Sequence, residues 1–122
     1  MPETAELTAA AMLSEARRLV VSGWCQGARA RDALGLEVSS WSDEARSWSL
    51  LGALLASWHR QDSQDEDVIA HLADAHALGK ATEVLAEVVG TASLERWNDA
   101  RRRNQAEVID AMEGALSLLE DS

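Results

Sequence analysis

Three side chains that can bind metal ions recur on one side of a predicted helix. Asp67, His71 and Asp74 are separated by four and then three residues, a spacing that places them along one face of an α-helix. That face could offer two or three ligands to zinc or another divalent ion, and His59 or His76 could complete the site. Acid–histidine pairs are also common on solvated helices, and the H-E-x-x-H motif is absent. We therefore predict neither a metal site nor a cofactor. Binding of a divalent metal on this helix is kept only as the third of three hypotheses of function.

A second group, of five polar residues and two tryptophans, lies in segments between predicted helices. Its members are Trp24, Gln26, Arg29, Asp32, Trp97, Asn98 and Asp99. They can form a structural network, in which Asn98 and Asp99 bind backbone groups at helix ends and Arg29 pairs with a carboxylate. The same groups can instead line a ligand-binding cleft walled by Trp24 and Trp97. We favour the network, and this group is also the best candidate for a ligand site.

Cys25 and a run of three arginines offer weaker chemistry. Cys25 follows a predicted helix C-terminus, which raises a thiol pKa, so we expect a small half-buried hydrophobe rather than a nucleophile. Arg101–Arg103 precede a helix N-terminus and could hold a phosphate, although nearby acids such as Asp99 can also pair with them. Nucleophile-elbow, P-loop and dinucleotide-binding motifs are absent. We predict no catalytic residue, and favour a non-enzymatic role.

The charge of the chain limits its partners. With 122 residues and a net charge of −10, the protein lacks the basic surface that nucleic-acid binding requires. Acidic residues concentrate at Asp62, Asp65, Glu66 and Asp67, either as a solvated loop before a helix or as a surface that docks on a basic partner. The single cysteine, the absence of a bilayer-length apolar stretch and the lack of a signal-peptide pattern at Met1–Glu6 predict a cytoplasmic protein that does not bind membranes.

Apolar residues at helical spacing predict one compact all-α domain over residues 1–122, with four or five helices. The predicted elements are a first helix over about 5–21, an irregular loop or small hairpin over 24–41, helices over 43–60, 65–78 and 81–89, a short helical piece over 93–97, and a last helix from 104. A left-handed Gly23 is expected to end the first helix, Ser42 to begin the second, and Asn104 with Glu107 to cap the last. The helices on either side of Gly79 are either separate or one kinked helix.

The same periodicity predicts which residues face the core. The predicted inner residues are Ala9, Leu13, Ala16, Leu19 and Val20 on the first helix; Ala45, Trp48, Gly52, Leu55 and His59, with Leu51 and Trp58, on the second; Val68, Leu72 and Ala75 on the third; and Val108, Met112, Ala115, Leu116 and Leu119 on the last. Gly52 inside a helix costs about 1 kcal/mol against alanine, which indicates that another element approaches it closely.

Three segments carry a resemblance to a known family. They are GWCQGARARD at Gly23–Asp32, ARSWSLLGAL at Ala45–Leu54, and Trp97–Asp99 followed by Arg103–Asn104 and Glu107–Val108. Together they resemble an uncharacterised domain-of-unknown-function family of small proteins, seen mostly in actinobacteria and their phages. The resemblance spans about residues 7–116, although residues 61–90 carry no recognised signature.

Two positions depart from the family pattern. The family often has cysteine in place of Ser49, which weakens any idea of thiol chemistry on the second helix, and threonine in place of Asn104, a conservative exchange of caps. The resemblance implies an architecture and a setting rather than a reaction. It adds weight to the Trp, Gln, Asn and Asp group as the centre of the domain.

These observations give three hypotheses of function. The leading one is a non-catalytic interaction or accessory protein, which binds a protein partner or itself through a surface that includes an exposed tryptophan, such as Trp41, or the acidic linker. The alternative is a small-molecule-binding protein or enzyme that uses the cleft predicted around Trp24 and Asn98. The third is binding of a divalent metal on the third helix.

Overall fold

The computed structural model of the chain describes residues 4–65 and 67–120. Within them the chain forms five α-helices and one short two-stranded ribbon, which confirms the predicted all-α class. In chain order the elements are α1 (Thr4–Ser22), β1 (Ala30–Arg31), β2 (Ser47–Trp48), α2 (Leu50–Gln64), α3 (Val68–Val89), α4 (Leu94–Asn98) and α5 (Gln105–Glu120). None of these helices is both long enough and apolar enough to cross a bilayer.

The core lies where α1 packs against α2, α3 and α5. The predicted inner residues of α1 are all buried, and those of α5 are buried except Leu116, which is half-buried. Alanines on all four helices are fully buried, namely Ala16, Ala53, Ala81 and Ala115. Small side chains at these contacts let the helix axes approach one another closely.

The tryptophans lie at the edge of this core. Trp48 and Trp58, predicted to lie inside it, are half-buried and pack against it, as do Trp24 and Trp97. Trp41 is about half exposed. Because the chain has no Phe or Tyr, the interior is aliphatic, and the indoles are left to contact the loops that surround it.

The predicted start of the second helix is wrong. The helix was expected to begin at Ser42–Asp43, but α2 begins at Leu50 and is capped by Ser49, whose Oγ accepts a hydrogen bond from the N–H of Gly52 at 3.0 Å. Ser42 shapes a turn instead, in which its Oγ accepts from the N–H of Glu44 at 3.1 Å. Both serines have capping chemistry, and local sequence favours neither.

Long-range contacts explain why the residues before Leu50 are not helical. Strand β2 pairs antiparallel with β1, so that Trp48 lies opposite Ala30. The N–H of Leu50, the first of α2, donates to the side-chain oxygen of Asn98 at 3.0 Å. These partners are distant in sequence, and their contacts override the helical periodicity of this segment.

The irregular segment after α1 contains a small hairpin, which is one of the two forms predicted for it. Arg31 and Glu37 form a β-bridge across a turn in which Gly35 has a φ of 85°. The reason predicted for the end of α1 is wrong, because Gly23 is not among the described glycines with positive φ. A Cβ on Gly23 would lie 2.3 Å from the carbonyl oxygen of Arg46, so this position needs glycine for close packing.

Helix α3 is one continuous helix through Gly79, which decides between the two arrangements left open by the sequence. Its start is capped by Asp67, whose side chain accepts from the N–H of Ala70 at 2.7 Å. It ends at Gly90, which has a φ of 80° and is therefore in the left-handed conformation that commonly closes helices.

The inner and outer faces of the first half of α3 are the reverse of those predicted. Its buried residues are Asp74, Ala77, Ala81, Val84 and Leu85. Val68, Leu72 and Ala75, predicted to face the core, are exposed. The phase of the helix is set by its second half: once Ala81 and Leu85 are buried, the 3.6-residue repeat turns Val68 and Leu72 to the opposite side.

Two glycines inside helices should respond in opposite ways to alanine. At Gly52 a Cβ would lie 1.8 Å from the carbonyl oxygen of Arg29, whereas at Gly79 nothing lies within 4 Å. We expect Gly52→Ala to lower the free energy of unfolding by at least about 2 kcal/mol through overpacking. Gly79→Ala should raise it by about 0.5–1 kcal/mol, because alanine loses less backbone entropy on folding. Urea denaturation measures both, and similar effects of the two changes would contradict this packing.

Candidate functional site

The side chain of Asn98, the last residue of α4, is fully buried and uses all of its hydrogen-bonding capacity. Its Oδ1 accepts from Trp24 Nε1 at 2.8 Å and from the N–H of Leu50 at 3.0 Å. Its Nδ2 donates to the carbonyl of Cys25 at 3.1 Å and to Asp99 Oδ1 at 3.0 Å. One carboxamide thereby joins the loop after α1, the start of α2 and the end of α4.

Gln26 and Asp99 extend these contacts around Asn98. Gln26 Nε2 donates to the carbonyl oxygens of Asn98 and Ala100, at 2.9 and 3.1 Å. Asp99 Oδ1 accepts from the N–H of Gly27 at 3.0 Å. The structure therefore brings Trp24, Gln26, Asn98 and Asp99 together; we call these four residues the Asn98 network.

Arg29 and Trp97 lie beside this network and have other partners. Arg29 Nε contacts Glu95 Oε1 at 3.0 Å, and both side chains are largely exposed. The guanidinium of Arg103 lies 3.9 Å from the centre of the Trp97 ring, and its Nε donates to the Trp97 carbonyl at 3.0 Å. Arg29 thus pairs with a carboxylate, and a cation covers the Trp97 ring.

Asp32, the remaining member of the predicted group, shapes the hairpin turn. Its Oδ1 accepts from the N–H groups of Leu34 and Leu36, each at 2.9 Å. Its backbone N–H donates to the carbonyl of Leu36 at 2.9 Å. These local hydrogen bonds stabilise the turn.

A cleft of about 550 Å³ opens next to the Asn98 network; we call it the loop cleft. Four charged side chains line it, Arg29, Glu37, Glu95 and Asp99, and Trp41 lies at its side. Trp24 and Trp97, which the sequence suggested as walls, are not among the lining residues. The cleft is therefore open and mainly polar, with three carboxylates against one arginine.

Trp41 also lines a second cleft, of about 510 Å³, together with Trp48, Arg18 and Arg60. Its ring stacks on that of His59, with 4.5 Å between the ring centres and 14° between the planes. This stacking fixes the orientation of Trp41 even though about half of its surface is exposed. This pair could not be predicted from the sequence, because Trp41 lies in a turn and His59 lies 18 residues later in α2.

The Cys25 thiol is buried, and its Sγ contacts the carbonyl oxygen of Ala28 at 3.6 Å. Burial raises the pKa of this thiol above its ordinary value. The thiol is therefore protonated at neutral pH and unsuited to nucleophilic attack.

The start of α5 is already capped by its own side chains. Asn104 Oδ1 accepts from the N–H of Glu107 at 2.9 Å, and Glu107 Oε1 accepts from the N–H of Asn104 at 3.1 Å, which confirms the predicted capping box. Arg103 contacts Glu107 Oε2 at 3.2 Å. Of the three arginines, Arg101 and Arg102 thus remain on the exposed side of this loop.

The first turns of α3 present large apolar side chains to solvent. Val68 is 72% exposed, Ile69 79% and Leu72 66%, and Ala75 follows on the same side one turn later. We call these four residues the outer face of α3. Residues spaced in this way form one stripe along a helix, and the periodicity of the sequence predicts that three of them, Val68, Leu72 and Ala75, face the core.

The acidic segment lies beside the outer face. Asp62 lies in the last turn of α2, Asp65 follows that helix as its C-cap, and Asp67 caps the start of α3; Glu66 lies outside the described residues. His71 Nδ1 lies 2.7 Å from Asp62 Oδ1. Of the predicted metal ligands, His71 and Asp74 are brought together with Asp62 rather than with Asp67.

Two asparagines test the importance of the Asn98 network. Asn98→Ala leaves the indole N–H of Trp24 and the backbone groups of Leu50 and Cys25 without a partner, so we expect a loss of at least about 3 kcal/mol in the free energy of unfolding. Asn104→Ala removes only an exposed helix cap and should cost about 1 kcal/mol. Chemical denaturation, followed by tryptophan fluorescence, compares the two; equal losses would mean that Asn98 does not hold the three segments together.

Comparison with known proteins assigns the chain to one family. No curated protein matches the sequence, and neither does any solved structure. One family model, described as "Family of unknown function (DUF6197)", matches residues 4–117. Because that match covers nearly the whole chain, the protein belongs to this family of unknown function.

Proposed function

We propose that this protein is a small, non-catalytic interaction protein of the cytoplasm, which binds another protein through the outer face of α3. The observation that carries the proposal is the exposure of Val68, Ile69 and Leu72 side by side on a helix. Isolated exposed aliphatic residues are common, but a contiguous stripe on one helix is typical of an interaction site.

The spacing of these residues suits one mode of recognition. An apolar helix face that enters a groove on a partner presents its anchors at spacings of three, four and seven residues. Val68, Leu72 and Ala75 lie at i, i+4 and i+7, and Ile69 lies three residues before Leu72. Complete burial of one large aliphatic side chain contributes about 1.5–3 kcal/mol. Three such side chains provide the apolar centre of a specific interface.

The charge of the chain favours a partner of different chemistry over a second copy. The net charge is −10, and Asp65 and Asp67 lie at the N-terminal end of the outer face. Two copies that met through this surface would bring like charges together, whereas lysine or arginine beside an apolar groove would complement them. The proposed partner is therefore a protein with an apolar groove bordered by basic residues.

Several features support a role without catalysis. The Asn98 network is satisfied by its own hydrogen bonds, and the Cys25 thiol is buried with a raised pKa. At the start of α5, the capping box occupies the N–H groups of Asn104 and Glu107. These groups hold the fold together and are not free to act on a substrate.

A three-residue substitution tests the proposal. Val68→Ser, Ile69→Ser and Leu72→Ser together should weaken partner binding at least about a hundredfold, because they remove the apolar anchors. The free energy of unfolding should change by less than about 1 kcal/mol, since the three side chains are largely exposed. The matched control is Leu34→Ser with Leu36→Ser, which removes two other exposed leucines and should leave binding unchanged.

The family resemblance makes an actinobacterial extract the first source of a partner. A protein captured by the wild type and the control, but not by the triple variant, would be purified and its affinity measured by calorimetry at two salt concentrations. We expect weaker binding at high salt, because the partner carries the basic residues. Equal affinity of the triple variant and the wild type would contradict the proposal, and sedimentation that showed a dimer formed through this face would replace the partner with a second copy.

A second candidate is the binding of a small polar molecule in the loop cleft. Arg29 and Asp99, both singled out from the sequence, line it, and its volume of about 550 Å³ falls in the range of ligand sites. Its three carboxylates favour a ligand with cationic groups. The ion pair between Arg29 and Glu95 already engages two of its charged residues, which is why this candidate ranks second.

Tryptophan fluorescence tests the second candidate. A cationic ligand such as a polyamine should change the emission of the wild-type protein when it binds beside Trp41. Trp41→Phe should remove that response, whereas Trp58→Phe should retain it, because Trp58 does not line the cleft. A response that both variants retain, or no response in a screen of polar cations, would count against this cleft as a ligand site.

A further inference from the structure

The junction between α2 and α3 brings two carboxylates and an imidazole together. Asp62 lies in the last turn of α2, whereas His71 and Asp74 lie near the start of α3. One ligand atom from each residue lies within 4.8 Å of the others, and His71 Nδ1 is 2.7 Å from Asp62 Oδ1. Asp67, which the sequence suggested as a ligand, is instead engaged with the N–H of Ala70 as the helix cap.

The environment of Asp74 is the independent observation that points to a cation. Its side chain is only 3% exposed, and its Oδ2 is buried without a hydrogen-bond partner. Among the described residues, no ion pair includes Asp74. A buried carboxylate oxygen without a donor or a positive charge is costly, and native proteins rarely leave one in that state.

Its neighbours add to this cost. Burial and the nearby carboxylates of Asp65 and Asp62 disfavour a negative charge on Asp74. His71 opposes this effect, and its Nδ1 also contacts Asp62.

We propose that Asp62, His71 and Asp74 bind a zinc ion, which neutralises the buried carboxylate and joins the end of α2 to the start of α3. Zinc accepts imidazole nitrogen and carboxylate oxygen together, whereas calcium and magnesium prefer sets composed of oxygen alone. Three protein ligands leave one tetrahedral position for water or for the nearby Asp65.

The geometry requires only small side-chain movements. Ligand atoms at zinc bond lengths of about 2.0–2.2 Å in a tetrahedron lie about 3.4 Å apart. The distances within the cluster range from 2.7 Å between His71 and Asp62 up to at most 4.8 Å. The His71 nitrogen that now contacts Asp62 would turn to the metal, and both carboxylates already lie within reach.

Zinc titration of EDTA-treated protein tests the site without any partner, so its outcome is independent of the proposed function. With zinc chloride at 100 times its Kd, we expect the Tm of the wild type to rise by about 10 °C. Asp74→Asn and His71→Ala should each weaken zinc binding, measured by calorimetry, at least about tenfold and remove the rise in Tm. Magnesium and calcium chloride should leave the Tm unchanged.

Asp67→Asn is the matched control, because it removes a negative charge from the same segment but retains a capping side chain. It should keep the zinc affinity within about twofold of wild type if the ligands are the three named residues. Circular dichroism of each variant without metal shows whether it is folded. Equal zinc binding by the wild type and Asp74→Asn, an unchanged Tm of the wild type with zinc, or an equal response to calcium would each overturn the proposal.

Discussion

The side chain of Asn98 sets the position of the loops on which the rest of the molecule depends. It accepts from the indole of Trp24 and from the first N–H of α2, and it donates to the carbonyl of Cys25. Asn98 lies at the end of the short helix α4, and its hydrogen bonds connect three segments that are far apart in sequence. A buried carboxamide with four partners is specific about geometry, since any shift would leave polar groups unpaired in the interior. The Asn98 network, whose residues are also candidates for a ligand site, thus attaches the loops to the aliphatic core.

The second constraint comes from α3. Its second half packs alanines and aliphatic side chains into the core, and this sets the phase of the whole helix. In the first half, the buried Asp74 therefore faces the core, while Val68, Ile69 and Leu72 face outward. Large apolar side chains exposed to water and a buried, unpaired carboxylate are each energetically unfavourable. Both occur in the first turns of α3, on opposite sides of the helix, and the proposed partner surface and the proposed zinc site therefore both lie near the α2–α3 junction.

The sequence predicted those elements whose apolar stripe is also their buried face. This holds for α1 and α5, and the Asn104–Glu107 box correctly marks the start of α5. The start of α2 was missed because strand pairing and the Asn98 bond are made by distant residues. The faces of the first half of α3 were reversed because the periodicity there reports the large side chains of Val68 and Leu72, whereas Asp74 and Ala77 face the core. The gathering of Trp24, Gln26 and Asn98 could be anticipated from their places between helices, but their bonding partners could not.

The outward orientation of the first turns of α3 is the claim most directly open to measurement. A soluble paramagnetic agent broadens the NMR signals of methyl groups that contact solvent and spares those in the core. At a concentration where the protein is monomeric, we expect strong broadening for Val68, Ile69 and Leu72, and little for Val84 and Leu85. Protected methyl groups at Val68, Ile69 and Leu72 would instead place this stripe inside the fold and overturn the outward orientation of α3.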